Sequence, residues 1–133
     1  MPIIKGYQQL IDEAQAKICT RSLNEAKELC GNPNIVFVDI REIQELERDG
    51  MIPGALHAPR GMLEFWVDPK SPYHRKIFGT DKEFILYCAS AWRSALATAT
   101  LQDMGLSPVS HLEGGFKAWK EAGLAVVEKS KRN

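Results

Sequence analysis

Two runs, Ile35-Val36-Phe37-Val38 and Phe84-Ile85-Leu86-Tyr87, constrain what this chain can fold into more than any other feature. Each is short, wholly apolar or aromatic, and bounded by turn or polar residues. A strand of that kind has no face fit for water and is covered on both sides. Strands buried in this way belong to parallel sheets whose crossover helices lie on both faces.

The segments between them read as those helices. Tyr7–Lys17 brings Leu10, Ile11 and Ala14, with Ile18 just beyond, to helical spacing, which predicts an amphipathic N-terminal helix packed against the rest. Residues 17–20 read as a short extended piece. Ser22 and Glu25 then have capping-box spacing at the head of a helix ending near Cys30-Gly31. Residues 41–48 predict a short charged helix, 55–58 a brief strand, and the stretch from Arg93 or Ser94 to about Met104 a helix closed by Gly105. Val109–Leu112 completes the strands, and Gly114-Gly115 is a turn before a final helix in which Phe116 and Trp119 are core contacts. Strands alternating with helices predict an α/β fold in three layers, α/β/α, on a mostly parallel central sheet of about five strands. Residues 59–81, with Trp66 and the turn Ser71-Pro72-Tyr73-His74, read as a long loop with a helical turn or two near 62–67. A loop of that length is either a functional lid or a surface crossover.

A length of 133 residues predicts one domain, 1–133, with residues 1–16 as an N-terminal helical extension. Lys plus Arg equals Asp plus Glu at 17 each, so no net field draws the molecule to nucleic acid or to a membrane surface. No apolar run approaches the roughly 20 residues that span a bilayer, and Met1 to Leu10 lacks a secretory signal's layout, so a cytoplasmic location is expected. The cysteines, Cys19, Cys30 and Cys88, form no CxxC pair and have no zinc-like spacing to His57, His74 or His111. No metal and no cofactor are expected; Cys19 and Cys30 read as buried packing residues.

Cys88 stands apart, because it follows directly on the second buried run. In a parallel α/β sheet that position is the mouth beyond the strand ends, where ligands sit. Cys88-Ala89-Ser90-Ala91-Trp92-Arg93 then leads into the start of the next helix. Unpaired N–H groups and the positive dipole end can hold an anion there, and the same field lowers a thiol pKa. A thiolate in such a cradle, with Arg93 at its rim, can attack a sulfur atom and keep it as a bound anionic persulfide. On position alone, a small buried cysteine at a strand end is an equal alternative.

Four blocks change that balance: Val38-Asp39-Ile40-Arg41-Glu42; Gly50-Met51-Ile52-Pro53-Gly54-Ala55-Leu56-His57-Ala58-Pro59-Arg60; Tyr87-Cys88-Ala89-Ser90-Ala91-Trp92-Arg93-Ser94-Ala95; and Leu112-Glu113-Gly114-Gly115-Phe116-Lys117-Ala118-Trp119. In order and spacing the sequence resembles the rhodanese family over roughly residues 17–122. The resemblance implies a rhodanese-like α/β fold and a cysteine that takes sulfane sulfur from a small anionic donor such as thiosulfate, or from a persulfide. That sulfur passes to a thiophilic acceptor, a small-molecule or protein thiol. Cys88 is then the nucleophile, and Ala89, Ser90, Ala91, Trp92, Arg93 and Ser94 form the substrate-binding cradle. Asp39 and Arg93 match family positions near the loop, where a bidentate pair between them would hold its shape. Arg41 is expected to support the loop; Arg60 either binds an anionic donor or pairs with Glu64.

The chain also departs from the family. Ala91 stands where a glycine is common, Ala89 where thiosulfate-using members often place a basic residue, and Met51 where histidine is frequent. The loss of a positive charge at Ala89 argues against thiosulfate as the natural donor. Trp92 is expected to project from the loop toward an acceptor, or to pack on Phe65 or Trp66. Two rival readings remain, a non-catalytic partner-binding module of the same fold and a cysteine-dependent phosphatase of the related cell-cycle type. Those phosphatases have five residues between Cys and Arg; here there are four, a ring that suits one sulfur atom better than a phosphoryl group.

Overall fold

The computed structural model describes residues 2–129. Five strands, β1 (Cys19–Arg21), β2 (Ile35–Asp39), β3 (Leu56–His57), β4 (Glu83–Tyr87) and β5 (Val109–Leu112), form one sheet in the order β1-β5-β4-β2-β3. Every ladder in it is parallel. The helices are α1 (Tyr7–Lys17), α2 (Leu23–Leu29), α3 (Ile43–Asp49), α4 (Leu63–Val67), α5 (Trp92–Asp103) and α6 (Gly115–Glu121). None is long and apolar enough to cross a membrane among the described residues.

The two buried runs lie side by side at the centre, Val38 opposite Leu86 and Asp39 opposite Tyr87. Their side chains divide the core by parity, as the period of a strand requires. Val36, Val38, Phe84, Leu86 and Cys88 face one cluster with Leu63 and Val67 of α4 and Ala97 and Leu101 of α5. Phe37, Ile85 and Tyr87 face the other, with Ala26 of α2 and Phe116 and Trp119 of α6. β2 continues outward to β3 and β4 in the opposite direction to β5, so the chain diverges between β2 and β4. That divergence opens a crevice at the C-terminal ends of these strands.

The capping box at Ser22 and Glu25 forms with both hydrogen bonds in place, 3.1 and 3.0 Å. α1 lies on α5 through Ile11, Ala14, Ala95 and Ala99. The 59–81 segment is a covering layer rather than a lid. It holds 3-10 turns at Arg60–Met62 and Lys76–Gly79 around α4, and it seals Leu63, Val67 and Phe78 into the core. Two cysteines correct their expectation: Cys19 is exposed, and Cys30 is half-buried with its thiol pKa raised by burial.

Where β2 ends, the chain turns around an ion pair. Arg41 donates from Nε and Nη2 to the two oxygens of Asp39 at 2.9 and 2.7 Å, and from Nη2 to the Gly50 carbonyl at 2.7 Å. Both residues are at most 1% exposed, and the guanidinium lies 4.3 Å from the Phe116 ring centroid. Removing one member of such a pair strands the other as an uncompensated buried charge. Arg41→Leu should therefore lower the free energy of unfolding by about 3–5 kcal/mol, read from urea denaturation; a loss below about 1 kcal/mol, the scale of a surface pair, would contradict this.

Candidate functional site

Cys88 leaves β4 at the crevice, and the residues after it curl into a ring that closes on α5. The ring is held from behind by α6. Phe116 N–H donates to the Cys88 carbonyl at 2.8 Å and Lys117 N–H to the Ala89 carbonyl at 3.0 Å. In a trans peptide the N–H points opposite to the C=O, so these bonds turn the N–H groups of Ala89 and Ser90 away from α6. Gly115 makes the approach possible: a Cβ there would stand 2.7 Å from the Ala89 oxygen and 2.8 Å from that of Cys88, at a φ of +67°. From the sequence, Gly114-Gly115 is a turn before a helix; the part of Gly115 in gripping the loop shows only once α6 is placed against it.

The N–H groups of Ala89, Ser90, Ala91, Trp92 and Arg93 have no hydrogen-bond partner among the described residues, and the next, Ser94 N–H, donates to the Cys88 sulfur at 3.3 Å. Cys88 as a whole is 1% exposed. A group that meets its sulfur has to enter the ring, and the unpaired N–H donors there are of the kind that suit an anion. Ala91 takes the left-handed conformation, φ +72° and ψ +3°, at the N-cap of α5. It is the single non-glycine residue with positive φ among the described residues.

The expected Asp39–Arg93 pairing is not formed. Asp39 is committed to Arg41, two residues along the chain, which bonds both of its carboxylate oxygens. Arg93 instead makes a two-pronged pair with Glu45 of α3, Nη1 to Oε2 at 2.8 Å and Nη2 to Oε1 at 2.9 Å. The Arg93 hydrogen bonds hold the Glu45 carboxyl down at about 2. The Arg93 pKa is raised, first by the hydrogen bonds to Glu45 and to a lesser degree by the nearness of Cys88. Glu45 thus fixes a guanidinium beside the sulfur, a role the sequence concealed because Glu45 also reads as an ordinary first-turn acid of α3, and it serves as one, bonding the Glu42 N–H at 2.9 Å.

Arg60 pairs with Glu64 at 2.8 Å, one of its two expected alternatives. Trp92 is half exposed and packs against Tyr7 of α1, ring centroids 5.1 Å apart, rather than against Phe65 or Trp66. Ser94 and His111 complete the surroundings of the sulfur from inside. Ser94 Oγ is 3.6 Å from Cys88 Sγ and 2.9 Å from His111 Nδ1, and all three residues are buried. Nothing in the spacing of the histidines marked His111; a polar residue inside the predicted strand Val109–Leu112 was the available signal.

Known proteins resemble this chain in sequence and in fold. The rhodanese-like domain profile matches residues 22–122, and the chain belongs to that family. It is 32% identical over 102 residues to a sulfurtransferase of Allochromatium vinosum, spanning 77% of this chain and 87% of that one. Among solved structures, a Rhodopseudomonas palustris protein of unknown function, described as a possible tyrosine phosphatase, is similar at 50% identity and a TM-score of 0.92. The match covers 96% of this chain and 98% of that one. The polysulfide-sulfur transferase homodimer of Wolinella succinogenes is similar at 28% identity and a TM-score of 0.68, over 96% and 90% of the two chains. α1 lies outside the family match.

Two outcomes follow from the ring and its rim. Glu45 has a depressed folded-state pKa, so its pairing adds stability that is fully present above the unfolded value of 4.5 and is lost as pH falls toward about 2. The stability difference between wild type and Glu45→Gln should be constant from neutral pH to about 5 and shrink below it, measured by denaturation at each pH. At position 91, a left-handed alanine costs about 1–2 kcal/mol, against about 0.4–1 kcal/mol of unfolded-chain entropy that glycine adds. Ala91→Gly should then stabilise the protein by roughly 0.5 kcal/mol in the same assay, and a destabilisation would refute the strain.

Proposed function

We propose that the protein is a sulfurtransferase that carries a sulfur atom on Cys88. The Cys88 thiolate attacks the outer sulfur of a donor, thiosulfate or a persulfide. The donor's S–S bond breaks, sulfite or a thiolate leaves, and Cys88 holds the sulfur as an anionic persulfide. An acceptor thiolate then attacks that terminal sulfur, takes it as its own persulfide, and returns Cys88 to the thiolate. The observation that carries this reading is the run of N–H groups from Ala89 to Arg93, without partners among the described residues, following a cysteine that is 1% exposed.

In this reading the backbone of residues 89–94 binds the transferred sulfur, and Arg93, held by Glu45, stabilises its charge. Asp39 and Arg41 support the loop indirectly, by fixing the end of β2 and the Phe116 ring at the start of α6. Arg60 has a weaker claim to a donor anion because Glu64 occupies it. Residues 1–133 act as one domain, with α1 an extension laid along α5.

The name of the Rhodopseudomonas palustris relative favours a second reading, a cysteine-dependent phosphatase. The four residues between Cys88 and Arg93 speak against it, because the ring is one residue shorter than a phosphoryl group requires. One experiment separates the readings. After incubation with thiosulfate or with a persulfide donor, the intact mass should rise by one sulfur atom, and Cys88→Ser should not change. A wild type left unmodified by both donors would refute the sulfur carrier, and Cys88-dependent hydrolysis of p-nitrophenyl phosphate would establish the phosphatase.

A further inference from the structure

Behind Cys88 a hydrogen-bonded chain runs into the core. Cys88 Sγ lies 3.6 Å from Ser94 Oγ, and Ser94 Oγ lies 2.9 Å from His111 Nδ1. The three residues are 1%, 0% and 1% exposed, in that order. The other ring nitrogen of His111, Nε2, is buried with no partner.

The imidazole is neutral, since burial alone pushes its pKa down to about 4. Its single proton sits on one of the two nitrogens. On Nε2 it would be a buried N–H with nothing to accept it, the rarer and costlier kind of orphan. On Nδ1 it is used, because Nδ1–H donates to Ser94 Oγ. The Ser94 hydroxyl proton then has to go elsewhere, and the group within reach is the Cys88 sulfur.

We propose that His111 is a positioning residue for Cys88: carrying its proton on Nδ1, it donates to Ser94 Oγ and thereby turns the Ser94 hydroxyl to donate to the Cys88 sulfur. The sulfur then receives two hydrogen bonds from one residue, the Ser94 N–H at 3.3 Å and, with the 3.6 Å S–H to Oγ contact of the protonated thiol reversed, the Ser94 O–H. That set fits a sulfur anion and is mismatched to an S–H, which would bring another proton into the same contact. Donors in series polarise one another, so the His111 bond strengthens the Ser94 bond. The inference deepens the sulfur-carrier reading of the same site. It places the benefit in the second half-reaction, when the acceptor removes the outer sulfur and Cys88 leaves as a thiolate.

The charged groups facing the sulfur are Arg93 and, through it, Glu45. Both keep their charge throughout a thiol titration, so a change in its midpoint reports on the buried chain. Nitrogen-15 imidazole spectra of the labelled wild-type protein at neutral pH should show His111 as the Nδ1-protonated tautomer; the Nε2-protonated form would overturn the proposal. The pH dependence of Cys88 alkylation by iodoacetamide, followed by peptide mass, supplies a second readout. Ser94→Ala should raise the midpoint by about one pH unit. His111→Leu should raise it by roughly half as much, and His111→Asn, whose amide N–H can stand in for Nδ1–H, should restore it. A His111→Leu protein that melts cooperatively with an unchanged midpoint would refute the role, since a merely structural histidine moves the melting temperature alone. Should that variant fail to fold, the wild-type tautomer decides. Neither measurement uses a sulfur donor, so a wild type that forms no persulfide would sink the carrier reading and leave this one standing.

Discussion

Two hydrogen bonds from the first turn of α6, to the carbonyls of Cys88 and Ala89, give the loop its shape. They depend on a contact closer than any side chain permits, which is why Gly115 stands where it does. Because those carbonyls are turned back toward α6, the adjacent N–H groups are released on the other side. The same contact fixes the height of α6 over the sheet, and with it Phe116, against which Arg41 stacks. Anchoring the ring and closing one half of the core are thus a single packing event.

The charges around the site are sorted by depth. The inner pair, Asp39 with Arg41, is fully buried and braces the end of β2. The outer pair, Glu45 with Arg93, lies at the rim, where the Arg93 side chain is 39% exposed and remains in reach of an anion. An Asp39–Arg93 pair would have drawn the rim cation inward. Arg41 makes the separation possible by satisfying Asp39 locally, from two residues away.

Much of the fold was legible because it rests on local rules. Two apolar runs without alternation gave the central strands, the Ser22–Glu25 spacing gave a helix start that forms as read, and Cys88 could be placed at the strand mouth from its position after Tyr87. What stayed hidden depends on long-range partners. Glu45 and Arg93 are 48 residues apart, and Ser94 and His111 are 17 apart. Acids and histidines are common enough that nothing but the assembled sheet distinguishes these. The 59–81 segment was ambiguous for a related reason: its length left a lid and a surface crossover equally open, and Leu63, Val67 and Phe78, which anchor it, have no periodic neighbours to announce a core face.

Ala91 carries a consequence for how the ring would work in the proposed sulfur transfer. A glycine at φ +72° would also have mirror-image and extended conformations open to it whenever the loop empties. An alanine forced into that well has few others to visit without leaving the fold. In the proposed transfer, the conformational entropy of closing the ring is then spent during folding rather than each time a sulfur atom arrives. The strained residue makes the loop a rigid template, preorganised for its ligand at some expense of stability.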